Sequence, residues 1–491
     1  MKLHELIKEA RLTSCQVIGD TTGEVSSIVF DTREVKLVSE HAAPLFVAQC
    51  GTRVDGHDFI EQAIDRGARF IVCQTLPAPV KQGITYLIVP DSSAALGHLA
   101  SAFFGHPSRE LKLVGVTGTN GKTTIATLLY RLFREMQYPC MLISTIENRI
   151  NDEIVPASHT TPDAVKINEL LARAIEQGCQ YAFMEVSSHA LCQHRVDGLS
   201  FTGGIFTNIT HDHLDFHQTF ANYIKAKQKF FNLLSKDAFA LTNKDDRNGM
   251  VMTQNSQARV FTYSLNTLAD FKAKILDNSF EGLHLWLQDR EAFFKLTGKF
   301  NASNLLAIYG TAVLLGLPQD DILIKMSNLD SVSGRFQVSR GAQGQQAIVD
   351  YAHTPDALQN VLSTIKDITQ NSREIITVVG CGGNRDALKR PVMAETACKY
   401  SNTVILTSDN PRNEDPRKIL ADMEEGIPAG YRHHVIVIEN REEAIKVACR
   451  LLPPQGVLLV AGKGHENYQE INNTKYHFDD MEIVTKYFTN N

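Results

Sequence analysis

Apolar positions along the chain follow two spacings. Short runs such as "LVGVT" (113–117), "YAFME" (181–185) and "QQAIVDYAH" (345–353) are apolar enough to read as buried strands. The segment "KTTIATLLYRLF" (122–133) repeats apolar residues at helical spacing, and the N-terminal "MKLHELIKEARLTSCQ" has an amphipathic helical pattern. Strand and helix patterns succeed one another almost throughout, which predicts α/β units with largely parallel sheets.

Two breaks interrupt the succession. In "FFGHPSRELK" (103–112), His106-Pro107-Ser108 ends a helical pattern before a strand. In "DSVSGRFQVSR" (330–340), a small-residue turn precedes the strand "QQAIVDYAH". Cuts there predict three domains, 1–107, 108–335 and 336–491, each of ordinary domain size.

Composition narrows the class. A chain of 491 residues, 43% hydrophobic and 21% charged, has the make-up of a globular multidomain protein. A net charge of −6 argues against a large nucleic-acid footprint. The nine cysteines are scattered, odd in number and lack a C-x-x-C pair, which suits reduced thiols better than a disulfide frame or zinc site. A membrane span needs about 20 apolar residues, and the N-terminus lacks the apolar core of a signal peptide. The expectation is a cytoplasmic protein.

The sharpest chemistry lies at "TGTNGKTT" (117–124). The usual phosphate loop is G-x-x-x-x-G-K-[S/T], but its first glycine would fall at Val116; the glycines here are Gly118 and Gly121. Between a strand and a helix, the shorter loop still aims backbone N–H groups and a helix N-terminus at one anion. Gly118, Thr119, Asn120, Gly121, Lys122, Thr123 and Thr124 are the candidate ATP-binding residues. Lys122 would neutralise the outer phosphates and the Thr123 hydroxyl would reach Mg²⁺. Glu185 ends the strand "YAFME", at the edge where open α/β sheets bind ligands, and is the candidate acidic metal ligand.

"THDHLDFH" carries three histidines in seven residues, with His213 and His217 four apart. Without H-E-x-x-H or matching cysteines, a single histidine assisting a second Mg²⁺ fits better than zinc. Lys227, in "YIKAK", reads from spacing alone as an ordinary helix-surface lysine.

"TGTNGKTT", "MEVSSHALCQHR", "TNITHDHLDFH", "YIKAK", "LTGKFNASN" and "DYAHTPDAL" occur in the order seen in the Mur ligases. These ATP-dependent enzymes build the peptide stem of peptidoglycan, and the resemblance runs from "FDTREV" to "AGKGHENYQ". It implies an N-terminal UDP-binding α/β domain, a central P-loop ATPase domain with a mostly parallel sheet, and a C-terminal Rossmann-like domain. It implies ATP as cosubstrate, Mg²⁺ (two ions), and an acyl phosphate that an amine converts to an amide. By the same resemblance Lys227 is carbamylated and shares metal binding with Thr123, Glu185 and His213, while Asn301 and Arg335 meet the nucleotide. Lys122, Glu185, His213 and Lys227 are then the catalytic set.

"FDTREV" and "LFVAQCGTRVDG" resemble the uridine-binding domain of the branch that makes the muramoyl tripeptide, which implies Phe30, Thr32, Thr52, Arg53 and Val54 at the UDP moiety. Threonine at 32 replaces the commoner serine. His159, Thr160, Thr161, Ser187, Gln193 and Arg195 match residues holding the muramoyl dipeptide.

Asp409-Asn410-Pro411-Arg412 resembles the D-N-P-R motif of members that add meso-diaminopimelate rather than L-lysine, with Arg385, Gly462 and Glu466 as further acceptor contacts. Arg412 can clamp the distal carboxylate of that amino acid, and an acidic residue can pair with its ammonium. The implied reaction joins meso-diaminopimelate to UDP-N-acetylmuramoyl-L-alanyl-D-glutamate in a monomeric, cytoplasmic enzyme of cell-wall synthesis. His353 is a candidate base for the acceptor amine, with a structural loop histidine as the other reading. A lysine-adding ligase, a folylpolyglutamate-type ligase and a nucleotide switch are the rivals; the second should lack the N-terminal segment and D-N-P-R, and the third would not need a C-terminal domain with acceptor-type motifs.

Overall fold

Runs that are apolar on both faces can be buried only inside a sheet covered by helices on each side. The computed structural model describes residues 1–12, 14–36, 42–51, 54–157 and 159–488, and places such runs in three successive sheets. The first spans residues 16–88. Its spatial order is Gln16–Ile18, Thr85–Ile88, Phe70–Cys73, Ala42–Val47 and Glu24–Val29, and only the Gln16–Ile18 edge runs antiparallel.

The second sheet has eleven strands between residues 112 and 294. At its centre, Lys112–Thr117 lies between Gly203–Phe206 and Tyr181–Glu185, parallel to both, with Val114 opposite Gly203 and Phe183. Alternation sends Val114 and Val116 into the core under the helix Lys122–Glu135, and Leu113 into the core on the other face with Met141 and Met184. Parallel strands therefore end together at one edge, where the loops after Thr117 and Glu185 meet.

The third sheet spans residues 337–461 in the order Gln337–Arg340, Gln346–Asp350, Val457–Ala461, Ile375–Val379, Thr403–Leu406 and Val435–Val437. It is parallel apart from its first strand. A separate hairpin, Tyr468–Ile471 with Thr474–His477, follows it.

The mainly parallel α/β organisation agrees with the sequence reading. One departure is the antiparallel meander Phe271–Ser279, Gly282–Leu287 and Arg290–Phe294. Its strands alternate buried and exposed residues, the pattern of a sheet with one wet face rather than of a buried parallel strand. At the "FFGHPSRELK" break the helix Ser92–Phe103 ends, His106 takes a left-handed conformation, and a short 3₁₀ turn Pro107–Arg109 leads into the central strand. No helix among the described residues is long and apolar enough to cross a membrane.

Candidate active site

The turn from Thr117 into the helix Lys122–Glu135 has the strand–loop–helix form that a phosphate loop requires. Gly121 caps the helix at φ 88°, and a side chain there would press on the Asn304 amide, so glycine is required twice over. The Lys122 ammonium folds back over the loop and donates to the Gly118 and Thr119 carbonyls at 3.0 and 2.7 Å. Burial lowers its pKa, against which Glu185 and Asp212 favour the charged form. The Thr123 hydroxyl donates to Glu185 Oε2 at 3.0 Å and accepts from Arg335 at 3.1 Å. Glu185 is fully buried, and its other oxygen accepts the Thr145 N–H at 2.7 Å. Strand end, loop and helix start thus meet around one carboxylate.

Lys227 is not on the surface. Its place on the helix Phe220–Asn232 turns it inward, 1% exposed, where Nζ donates to the Gly118 carbonyl at 2.7 Å above the Tyr223 ring. Burial, and then the Lys122 charge, push its pKa well below the ordinary lysine range. The Tyr223 hydroxyl reaches the Thr119 hydroxyl at 3.1 Å.

The three histidines face different partners. His213 adopts φ 53°, with Nε2 3.4 Å from Asp212 and its ring edge-on to His189 at 4.8 Å; burial lowers its pKa. His217 meets the Ser188 hydroxyl at 3.0 Å, and His211 stacks on Phe220. Elsewhere Cys50, Asp55 and His57 lie close enough to suggest a metal site. However, His57 Nε2 accepts the Gln74 N–H at 2.9 Å, so its proton is on Nδ1, directed at Asp55 at 2.7 Å. That ring offers no lone pair towards the thiol, and the group is a hydrogen-bonded pin for its loop.

Several of the residues expected on the substrate side also converge. The Thr161 hydroxyl donates to the Glu185 carbonyl at 2.8 Å and accepts the Ser187 N–H at 3.1 Å. Arg195 donates to the Thr161 carbonyl at 2.7 Å and to Gln193 Oε1 at 2.6 Å. Thr160 accepts from the Thr145 hydroxyl at 3.0 Å, and His159 beside it is exposed. Next to Arg195, His194 pairs with Asp197 and approaches Asp91 of the N-terminal region at 3.7 Å. In that region Phe30 is half-buried against the core, and the Thr32 hydroxyl donates to Gln62 at 2.7 Å. Val54 is exposed, while Thr52 and Arg53 lie outside the described residues.

Asn301 is buried, donating to the Thr297 carbonyl and accepting from Asn304. Arg335 lies over the Tyr351 ring. Asp350 accepts the Phe336 and Ala352 N–H groups, and burial raises its pKa. His353 donates from Nδ1 to the Tyr351 carbonyl at 2.9 Å, which leaves Nε2 as an acceptor; burial, then Lys389, hold its pKa down at about 4. That makes it a weak base.

Arg412 stands at φ 52° and donates to the Gly383 carbonyl at 2.8 Å, with Nε 3.3 Å from Glu470. The Asn410 amide donates to Glu466 at 2.7 Å, and its oxygen accepts from Lys463 at 3.0 Å. Asp409 faces Gly462, where a Cβ would stand 2.7 Å from its carboxylate. Burial, then Asp409, raise the Glu466 pKa. Pro411 sits between these groups, and Arg385 is exposed on the neighbouring loop.

Three family models match in chain order: "Mur ligase family, catalytic domain" over residues 25–104, "Mur ligase middle domain" over 116–312, and "Mur ligase, glutamate ligase domain" over 334–464. A relative from Phocaeicola vulgatus is 52% identical over 490 residues, covering 100% of both chains. The chain belongs to the Mur ligase family. That relative, and one from Bacteroides fragilis at 51% identity covering 100% of this chain and 99% of its own, are both named UDP-N-acetylmuramoyl-L-alanyl-D-glutamate–2,6-diaminopimelate ligase. A solved structure of a ligase with the same name superposes with a TM-score of 0.70 at 32% identity, covering 99% of this chain and 98% of that one.

In this Mur ligase the sequence reading missed several residues that touch the site. Tyr223 lay inside the quoted "YIKAK" segment, and Lys463 inside "AGKGHENYQ", so both were in view. Asp356 accepts from the phosphate-loop Asn120 and from Thr210, across 236 residues of chain in the first case. Thr145 acts on Glu185 through its backbone N–H, which no residue type signals.

Proposed function

We propose that this Mur ligase joins meso-2,6-diaminopimelate to the D-glutamate carboxylate of UDP-N-acetylmuramoyl-L-alanyl-D-glutamate, with ATP converted to ADP and phosphate. The γ-phosphoryl group passes to the carboxylate oxygen, the acceptor amine attacks the acyl carbon, and phosphate leaves as the amide forms. Lys122 and the loop N–H groups stabilise charge on the transferring phosphoryl. Thr123 and Glu185 offer the hard oxygens that Mg²⁺ prefers, with His213 and carbamylated Lys227 completing its ligands; bound there, Mg²⁺ supplies charge neutralisation.

Carbamylation requires a neutral amine, and burial, which lowers the Lys227 pKa, favours one. Addition of CO₂ to that amine, with loss of one proton, turns a neutral buried group into an anion near Lys122. Thr160, Thr161, Ser187, Gln193 and Arg195, with His159, hold the peptidyl part of the nucleotide substrate, and Phe30, Thr32, Thr52, Arg53 and Val54 its uridine end. Asn301 and Arg335 bind ATP. The enzyme acts as a cytoplasmic monomer.

The observation that carries the acceptor assignment is Arg412 set beside the Asn410–Glu466 pair. A cation and an anion so placed, with Arg385, Asp409, Pro411 and Gly462 around them, match an acceptor whose far end bears both carboxylate and ammonium. Lysine would leave Arg412 without its carboxylate partner. Both named relatives carry the same acceptor in their names. The test measures phosphate release and product mass with ATP, Mg²⁺, the muramoyl dipeptide nucleotide, and meso-diaminopimelate, L-lysine or no acceptor. Product with meso-diaminopimelate alone is expected. Product with L-lysine alone would overturn the acceptor, and hydrolysis without any acceptor would favour a nucleotide switch.

A further inference from the structure

Two loops frame the acceptor-side residues, and one buried arginine beneath them touches both. The first loop, residues 380–385, carries Arg385; the second, residues 409–414, carries Arg412. They are laced together directly. Gly383 N–H donates to the Asn410 carbonyl at 2.9 Å, Asn413 N–H to Asn384 Oδ1 at 3.1 Å, and Arg412 to the Gly383 carbonyl at 2.8 Å. A side chain at 383 would collide with the Pro411 carbonyl, so the approach requires glycine.

Below this contact lies Arg390, in the first turn of the helix Lys389–Tyr400, with its side chain 2% exposed. Its Nη2 donates to Glu414 at 2.8 Å and to the Gly382 carbonyl at 3.4 Å, and its Nη1 donates to Asp422 at 2.7 Å. Glu414 in turn accepts the Asn384 N–H. One guanidinium therefore fixes the first loop through a carbonyl, the second through a carboxylate, and the helix Pro416–Glu424 through another. The planar fork of arginine sets the angle between these partners, which a lysine point charge would not. An apolar side chain could fill the same volume without the cost of burying a charge, so what the triad adds is direction.

We propose that the Arg390–Glu414–Asp422 triad is a positioning device for acceptor recognition: it sets the spacing between Arg385 and Arg412 and thereby the fit of the acceptor's far end. This rests on the acceptor reading above. None of the three residues touches the acceptor in this scheme; they act through the two loops.

The test uses the full-length enzyme with Glu414→Gln, Arg390→Lys and Asp422→Asn. Separate KM values for ATP, the nucleotide substrate and the acceptor amino acid are measured, together with kcat and Tm. In Glu414→Gln the acceptor KM is expected to rise about tenfold or more, as small displacements of binding groups do. KM for ATP and for the nucleotide substrate stays within about twofold, the margin expected of distant, independent sites. Selectivity for meso-diaminopimelate over L-lysine falls with it.

A well-folded Glu414→Gln enzyme with unchanged acceptor KM would overturn the proposal, as would a parallel rise in all three KM values. Should Arg390→Lys fail to fold, Glu414→Gln decides, because its side chain is 26% exposed and keeps its shape. If the wild type accepts only L-lysine, the acceptor reading fails, and the KM for L-lysine then tests the triad independently.

Discussion

Lys122 and Lys227 place their ammonium nitrogens on the same oxygen, the carbonyl of Gly118, at 3.0 and 2.7 Å. Two cations sharing one acceptor in a buried site repel each other, and burial penalises both. Of the pair, Lys227 has the stronger reason to be neutral: Asp212 favours the charge on both, but Glu185 favours that of Lys122 alone.

Under the carbamylation proposed above, that asymmetry selects Lys227 rather than Lys122 as the group to react with CO₂. Lys227→Ala is expected to lower kcat about 100- to 1,000-fold, the usual loss when one charge-stabilising group is removed. A small carboxylate such as acetate should restore part of the rate by standing in the vacated space. With the wild type, ¹³C-labelled bicarbonate should give a carbamate carbon signal that Lys227→Ala lacks. Full activity of Lys227→Ala in bicarbonate-free buffer would sink the assignment.

Two histidines of the third sheet's loops tie stability to pH. His353, with Lys389, Arg335 and Asp212 as its charged neighbours, is held neutral to about 4. Burial first, then Arg335, His353 and Lys463, push the His465 pKa down to about 3. Unfolded histidine titrates near about 6.5, so between there and pH 4 the unfolded chain binds more protons. Stability is therefore present above that window and falls as pH is lowered through it. Each histidine contributes at most about 1.4 kcal/mol per pH unit. Thermal melts from pH 7 to 4 should show the decline, and His465→Asn should make it shallower. An unchanged slope would mean His465 titrates normally in the folded state.

How far the sequence revealed this site follows from how local each part is. The strand, turn and helix around Gly121 were legible because their residues are contiguous. Lys227 was not, because helix spacing alone reads it as a surface residue; only the packing of its helix over Gly118 buries it. Arg390 and Glu414 stand 24 residues apart and meet only when two loops close on each other. The antiparallel meander after residue 270 was not read for a different reason: its pairing is set by the tight turns at 280–281 and 288–289, and neither Phe280-Glu281 nor Gln288-Asp289 is a usual hairpin-turn pair.

The C-terminal helix Asp480–Phe488 is anchored at its first residue by a fully buried ion pair. Arg441 donates to both oxygens of Asp480 at 2.7 Å, and also to the Ala461 carbonyl at 3.0 Å; both side chains are fully buried. Removing one partner strands a buried charge. Asp480→Asn should cost about 3–5 kcal/mol, read as an earlier denaturant midpoint. Ala461 precedes Gly462, so the acceptor KM should also rise. A midpoint within error of the wild type would show that Arg441 finds another anion.

Arg412 offers the most direct test of specificity. Its guanidinium already meets the Gly383 carbonyl and the Glu470 carboxylate, which orient it without using all of its N–H groups. Arg412→Lys keeps the charge but loses the planar fork, so it cannot hold both protein partners and a carboxylate in register. We expect kcat/KM for meso-diaminopimelate to fall about 10- to 100-fold, the cost of breaking a charge-assisted hydrogen-bonded contact. Whatever residual turnover L-lysine gives should change little, because that acceptor has no distal carboxylate to lose. The ratio between the two amino acids is therefore the readout. Equal losses with both would mean that Arg412 shapes the loop rather than reads the acceptor.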